Sequence, residues 1–176
     1  MTAHPPIPVR ATEAADIAAL AAIINAIIAI GGTTAYEDPF TEDRLAALLL
    51  DDPRLICCHT AIDPADGMPA GYQVLKNHPD LPPHWGDIAT FARVEPKLPG
   101  VGRALFAATA DFARKTGLVA INATIRADNE SGLGFYGTMG FEDYAVAKAV
   151  PLKDGTPVDR VSKRFRVDAL AVKGPQ

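Results

Sequence analysis

The chain has 176 residues, 48% of them hydrophobic and 22% charged, which suits one domain with a real core over 1–176 and leaves too little for two. Its net charge is −4 and no basic run exceeds Lys163-Arg164, which argues against a nucleic-acid partner. The start, M-T-A-H-P-P-I-P, shows no leader peptide, and the longest apolar run, 17–30, is interrupted by Asn25 and too short to span a bilayer, so a cytoplasmic protein with no membrane partner is expected.

In chain order, Val9-Arg10-Ala11 reads as a short first strand. Thr12 is placed to cap a helix, with Glu13 and Asp16 in its first turn. Ile17, Leu20, Ile24 and Ile27 or Ile28 share one helical face, and Gly31-Gly32 stops that helix. The loop G-G-T-T-A-Y-E-D-P-F follows, then a second helix capped by Thr41 with Leu45, Leu48 and Leu49 inward. Strands are expected over 55–62 and 70–76, joined by the turn P-A-D-G-M-P. The stiff connection H-P-D-L-P-P-H-W cannot be helical throughout.

A strand over 87–94, a helix over 100–115, a strand over 118–125, a short helix over 129–139 and strands over 141–150 and 157–167 complete the pattern. The order β-α-α-β-β-β-α-β-α-β-β implies a mixed sheet covered by helices, an α/β or α+β fold. Cys57 and Cys58 are adjacent, so they cannot form an ordinary structural disulfide with each other. They have no metal-type spacing and read as small buried hydrophobes in a reducing compartment.

The stretch that carries chemistry is V-E-P-K-L-P-G-V-G-R-A-L-F, Val94 to Phe106. A glycine loop that opens a helix directly after a strand presents unsatisfied N–H groups and partial positive charge, a site for a phosphate group. Lys97 and Arg103 add full charges, while Pro99 removes one N–H from the cradle. Alone, Gly100 and Gly102 could equally make a tight turn. A dinucleotide fingerprint would need a glycine where Leu105 stands, and a Walker loop would need Gly-Lys-Ser/Thr.

Asn129-Glu130-Ser131-Gly132-Leu133-Gly134-Phe135-Tyr136 and the following Gly140-Phe141 supply a second motif. The pair resembles the GNAT acyltransferase superfamily. Val94-Glu95-Pro96 then Lys97-Leu98-Pro99-Gly100-Val101-Gly102 falls on its Gln/Arg-x-x-Gly-x-Gly/Ala signature, with Lys97 for the usual Gln or Arg. Asn129, Gly132 (for Ala), Tyr136, Gly140 and Phe141 fall on its second signature. More loosely, G-T-T-A-Y-E-D-P-F resembles the acceptor entry of the phosphinothricin-type acetyltransferases.

The resemblance implies acetyl-CoA as co-substrate and transfer of its acetyl group to a small-molecule amine by direct attack. It implies that Lys97, Gly100, Val101, Gly102 and Arg103 hold the pyrophosphate. Phe91, Ala92 and Val94 would offer backbone groups to the pantetheine and thioester, and Asn129 would contact the cofactor arm. Tyr136 would protonate the leaving thiolate, a phenol near pKa 10 facing a thiol near 8.5.

Relatives often carry a Glu base in the fourth strand, but Asp87-Ile88-Ala89-Thr90-Phe91 holds none. Glu37, Asp87 and His84 are the candidates for taking the amine's proton, Glu37 and Asp87 the preferred two. Trp85 suits either an acceptor pocket or packing, and His59 a satisfied core position. The basic strand 160–166 and the K-D-G-T-P turn suit an acceptor wall, a homodimer surface or a solvated face. A non-catalytic acyl-CoA-binding sensor or assembly subunit is the alternative on the same fold, and a nucleotide-binding oxidoreductase is disfavoured by the glycine count.

Overall fold

The computed structural model describes residues 6–167. Its elements are β1 (Val9–Ala11), α1 (Ile17–Ile30), α2 (Glu42–Ala46), β2 (Leu55–Ile62), β3 (Pro69–Lys76), β4 (Trp85–Ala92), α3 (Val101–Lys115), β5 (Ala120–Arg126), α4 (Glu130–Thr138), β6 (Glu142–Pro151) and β7 (Pro157–Arg166). This is the order expected from the sequence. The strands form one sheet, β1-β2-β3-β4-β5-β7-β6, in which only β4 and β5 are parallel. No described helix is long and apolar enough to cross a membrane.

Two apolar clusters lie against opposite faces of the sheet. Leu20, Ile24, Leu45 and Leu49 of the α1–α2 side pack with Cys58, Tyr72, Val74 and Phe91. Phe106 and Ala110 of α3 and Tyr136 of α4 pack with Cys57, Leu75, Ile88 and Ile121. Cys57 and Cys58 therefore fall into different clusters, because successive strand side chains point to opposite faces. Asn25, the polar break in α1, anchors the loop after the helix: its amide donates to Phe40 O at 2.9 Å and accepts from Phe40 N at 2.7 Å.

Two local expectations are corrected. Thr12 caps nothing; its hydroxyl lies 2.8 Å from that of Thr60 and contacts the Cys58 sulfur. Glu13 takes the cap position of the short turn 14–16 that leads into α1, and Asp16 completes a capping box, accepting the Glu13 N–H at 2.9 Å and a two-pronged bond from Arg10. The fourth strand runs two residues earlier than expected at each end. Trp85 joins it by pairing with Ala120 of the parallel neighbour β5, its ring edge-on to Tyr144 of β6, while Arg93 is tied down beyond its end by Asp63 at 2.5 Å and Pro96 O at 2.8 Å.

Candidate active site

The parallel neighbours β4 and β5 pair only at Trp85↔Ala120, Gly86↔Ile121 and Asp87↔Asn122. Beyond that point both continue, to Ala92 and Arg126, without bonding each other. Each keeps its outer partner, β3 or β7, to the end. The two inner edges are thus left with unpaired backbone donors and acceptors facing across a gap. The gap opens into a cavity of about 730 Å³, lined from the sheet by residues 87–94 and 124–126 and from the first loop by Thr33, Thr34 and Tyr36. An arm that carries its own amides can bond to such edges as an added strand does.

At the mouth of the gap stands the N-terminus of α3. Gly100 occupies its cap position at φ +91°, a conformation glycine adopts without strain, and no side chain caps the helix. Its first N–H groups are therefore free to meet an anion. Gly102 has a second reason to be glycine: a Cβ there would sit 2.7 Å from the Phe135 ring. It seats α3 against α4 as well as keeping the loop thin. Lys97 and Val101 line the cavity with these glycines, as do Phe91, Ala92 and Val94.

Deeper in, Tyr136 is buried on α4 and its hydroxyl lies 2.9 Å from the Thr90 hydroxyl, which also accepts from Gln73 at 2.8 Å. Burial pushes the phenol above its ordinary value, with Thr90 pulling back and nearby Asp87 adding to the rise. The near match to a thiol expected from sequence is therefore lost in the protein as it stands. The phenol stays protonated across the working range, a donor that needs strong negative charge in front of it to give up its proton.

Asp87 opens into the same cavity where the strands part. Asn122, 3% exposed, donates to its carboxylate at 2.6 Å and to Thr124 at 3.0 Å, while Tyr144 donates to the Asn122 carbonyl at 2.6 Å. This chain fixes the amide orientation and leaves Asp87 as the acceptor. Burial raises the Asp87 pKa from the ordinary carboxylate value, and the Asn122 bond lowers it in part. A carboxylate raised in this way is a better base.

The remaining expected residues divide. Asn129 lines the cavity, but its amide is occupied in structure: it accepts the Gly132 N–H at 2.9 Å and donates to Thr33 O at 2.9 Å, joining α4 to the first loop. Glu37 is exposed and outside the lining, where it accepts the Lys153 N–H at 2.9 Å from the β6–β7 turn. Arg103 is exposed and is likewise not in the lining. His84 is exposed outside the cavity, at φ +64°, and Trp85 packs on Tyr144. His59 bonds Thr109 at 3.1 Å and burial lowers its pKa.

Sequence reasoning missed Thr90 and Arg126, both in the cavity wall; Arg160, at the start of the basic strand read as an acceptor wall, dimer surface or solvated face, lines the cavity with them. Arg126 is buried, forked onto Asp128 at 2.8 and 2.6 Å and bonded to Thr34 O. The i, i+2 pair Arg126-Asp128 directly before Asn129 was the one sequence signal available for it.

Neither cysteine lines the cavity, and burial pushes Cys57 up to about 12 and Cys58 to about 11. Alkylation at pH 8 is expected to leave both unmodified in the native protein and to modify both after unfolding, as read by intact mass. Native labelling within minutes would contradict this placement.

The family model described as the acetyltransferase (GNAT) family matches residues 28–141. Among curated protein sequences none matches the chain. Several solved structures share the fold. A ribosomal-protein-alanine N-acetyltransferase from Brucella melitensis is 21% identical with a TM-score of 0.81, over 90% of this chain and 99% of that one. A GCN5-related N-acetyltransferase from Kribbella flavida is 23% identical with a TM-score of 0.78, over 92% and 98%. A phosphinothricin acetyltransferase from Sinorhizobium meliloti, solved with AcCoA, is 20% identical with a TM-score of 0.81, over 98% and 95%. With both motifs on the walls of one cleft and the family model spanning most of the chain, the protein belongs to the GNAT family, the acetyltransferases that move an acetyl group from acetyl-CoA to an amine.

Proposed function

We propose that the β4–β5 cleft binds acetyl-CoA and that Asp87 and Tyr136 move the protons as its acetyl group passes to a small-molecule amine. The observation that carries this reading is the convergence, in one cavity, of a raised carboxylate, a buried phenol and two unpaired strand edges. The neighbour from Sinorhizobium meliloti, solved with AcCoA, supports the choice of co-substrate. The cavity fits it: the uncapped α3 N-terminus with Lys97 suits a pyrophosphate, and the strand edges suit the amides of a pantetheine arm.

Acetyl-CoA supplies an acyl group activated as a thioester. The acceptor, protonated at neutral pH, must lose a proton before it attacks. Asp87 takes that proton, directly or through a water. Backbone N–H groups on the inner edge of β4 face the negative charge that grows on the acyl oxygen. Tyr136 donates to the sulfur as the carbon–sulfur bond breaks, when charge on sulfur is greatest and the raised phenol can give up its proton; the second proton, shed by the nitrogen once it is bonded to the acyl carbon, returns through water to the phenolate. Two proton-handling groups in one cleft favour catalysis over a non-catalytic acyl-CoA sensor.

A homodimer belongs to the same reading. Edge strand β6 is exposed along most of its length and presents Tyr144 and Val146; light scattering decides the oligomeric state. Thiol release from acetyl-CoA, followed by mass analysis of the amine, tests the reaction itself. Amine-dependent release with one acetyl group added per thiol is expected. Binding of acetyl-CoA with no release across a broad amine panel would contradict transfer.

A further inference from the structure

Two arginines stand directly opposite each other where β5 and β7 pair, Arg126↔Arg160. Cross-strand partners share a face, and like charges placed this way repel. Arg126 is compensated by its fork onto Asp128. Arg160 shares the field of that same Asp128 without touching it: among the described residues its side chain makes no hydrogen bond and no ion pair, and its Nη1 is buried without a partner. Arg164 Nε is also unpartnered, but that guanidinium lies over Trp85 and Tyr144 and is outside the cavity lining. Arg160 lines the cavity. A buried donor on a permanent cation, repelled by its neighbour, calls for a partner that the described protein does not provide.

We propose that the acceptor amine carries an anionic oxygen group, a carboxylate or a phosphonate, and that Arg160 holds it. This rests on the reading that the cleft acetylates amines with Asp87 as base. Asp87 pairs with Asn122 and Arg160 with Arg126, four residues further along β5. At roughly 3.3 Å per strand residue that is about 13 Å along the sheet, and two strand spacings of about 4.8 Å each separate β4 from β7 across β5, so the two backbones lie roughly 16 Å apart. The reach of the two side chains toward each other shortens it to the scale of one small molecule. Arg160 would then anchor the acid end while Asp87 receives the amine end. Thr124, whose hydroxyl lies 3.5 Å from that of Ser162, stands between them on the same face and adds a polar floor. Arg126 is held by Asp128 and feels the added negative field of Glu37, so it shapes the wall while Arg160 does the binding.

The test compares amino acids, aminophosphonates and the matching neutral amino amides as acceptors, in wild type and in Arg160→Gln. Wild type is expected to favour the anionic members by about 10- to 100-fold in kcat/KM, the range of one charge-assisted hydrogen bond. In Arg160→Gln that ratio should fall to about 3-fold or less, through KM for the acceptor, with KM for acetyl-CoA unchanged. Carboxylate against phosphonate preference identifies which anion is native. Equal rates for acids and amides in wild type, a ratio that survives Arg160→Gln, or a raised KM for acetyl-CoA would each overturn the inference. Calorimetry of the CoA-bound protein with the same acids gives an arm independent of turnover. Anion binding that weakens in the variant supports Arg160, and no anion binding overturns it. Retained anion binding with no thiol release would instead sink the transfer reading and leave the anion site standing.

Discussion

Replacing Asp87 with asparagine is expected to lower kcat/KM by about 100- to 1,000-fold, the usual contribution of a positioned base, while the melting temperature at pH 8 stays the same or rises. The two halves of this result come from the same burial. Asp87 has its pKa raised in the folded protein. Folding therefore takes up a proton between the unfolded value near 4 and the folded value. Stability at this site is greatest at low pH and is lost as pH climbs through the folded pKa, so at pH 8 the ionised carboxylate weighs against folding. Asparagine removes that charge and can still accept the Asn122 N–H. The wild-type kcat/KM profile should show an acid limb set by Asp87, above the range of an exposed carboxylate, and the Asn variant should lack it. A loss of activity matched by a fall of several degrees in melting temperature would make Asp87 a structural residue.

The second large effect is expected at Tyr136. Phenylalanine there should lower kcat by about 100-fold and change stability by no more than about 1 kcal/mol, the net worth of one neutral hydrogen bond. The ring contacts with Phe135 and Phe141, both at 5.0 Å between centroids, survive the substitution. Thr90 keeps the hydrogen bond it accepts from Gln73 and loses only its contact with the phenol. Acceptors should differ little in the size of the defect, because the phenol serves the leaving sulfur and not the amine. Thermal melts and single-turnover rates separate the two quantities. Unchanged kcat on every active amine would remove Tyr136 from the proton path.

Much of this arrangement was legible because it is local. The strand–glycine loop–helix unit and the Asn-led helix carry fixed short spacings, and these place Gly100, Gly102, Asn129 and Tyr136 without any knowledge of distant pairing. What escaped is set by register. Nothing in sequence says that Asp87 faces Asn122, that Tyr144 reaches over to orient that amide, or that Arg126 and Arg160 meet across two strands. Glu37 shows the opposite failure. Its loop does reach the cavity through Thr33, Thr34 and Tyr36, but the side chain bonds the β6–β7 turn. At Gly102 the sequence offered one reason for glycine and packing supplies another, since a Cβ there would meet the Phe135 ring.

The proposed function places acetyl-CoA in the gap between β4 and β5. Hydrogen exchange of the backbone amides, with and without acetyl-CoA, tests it directly. New protection is expected on the inner edges, residues 88–92 and 123–126, and at the first turn of α3, residues 101–103, with little change in β1, β2 and the outer part of α1. Protection confined to other elements, or no protection at saturating acetyl-CoA, would contradict it.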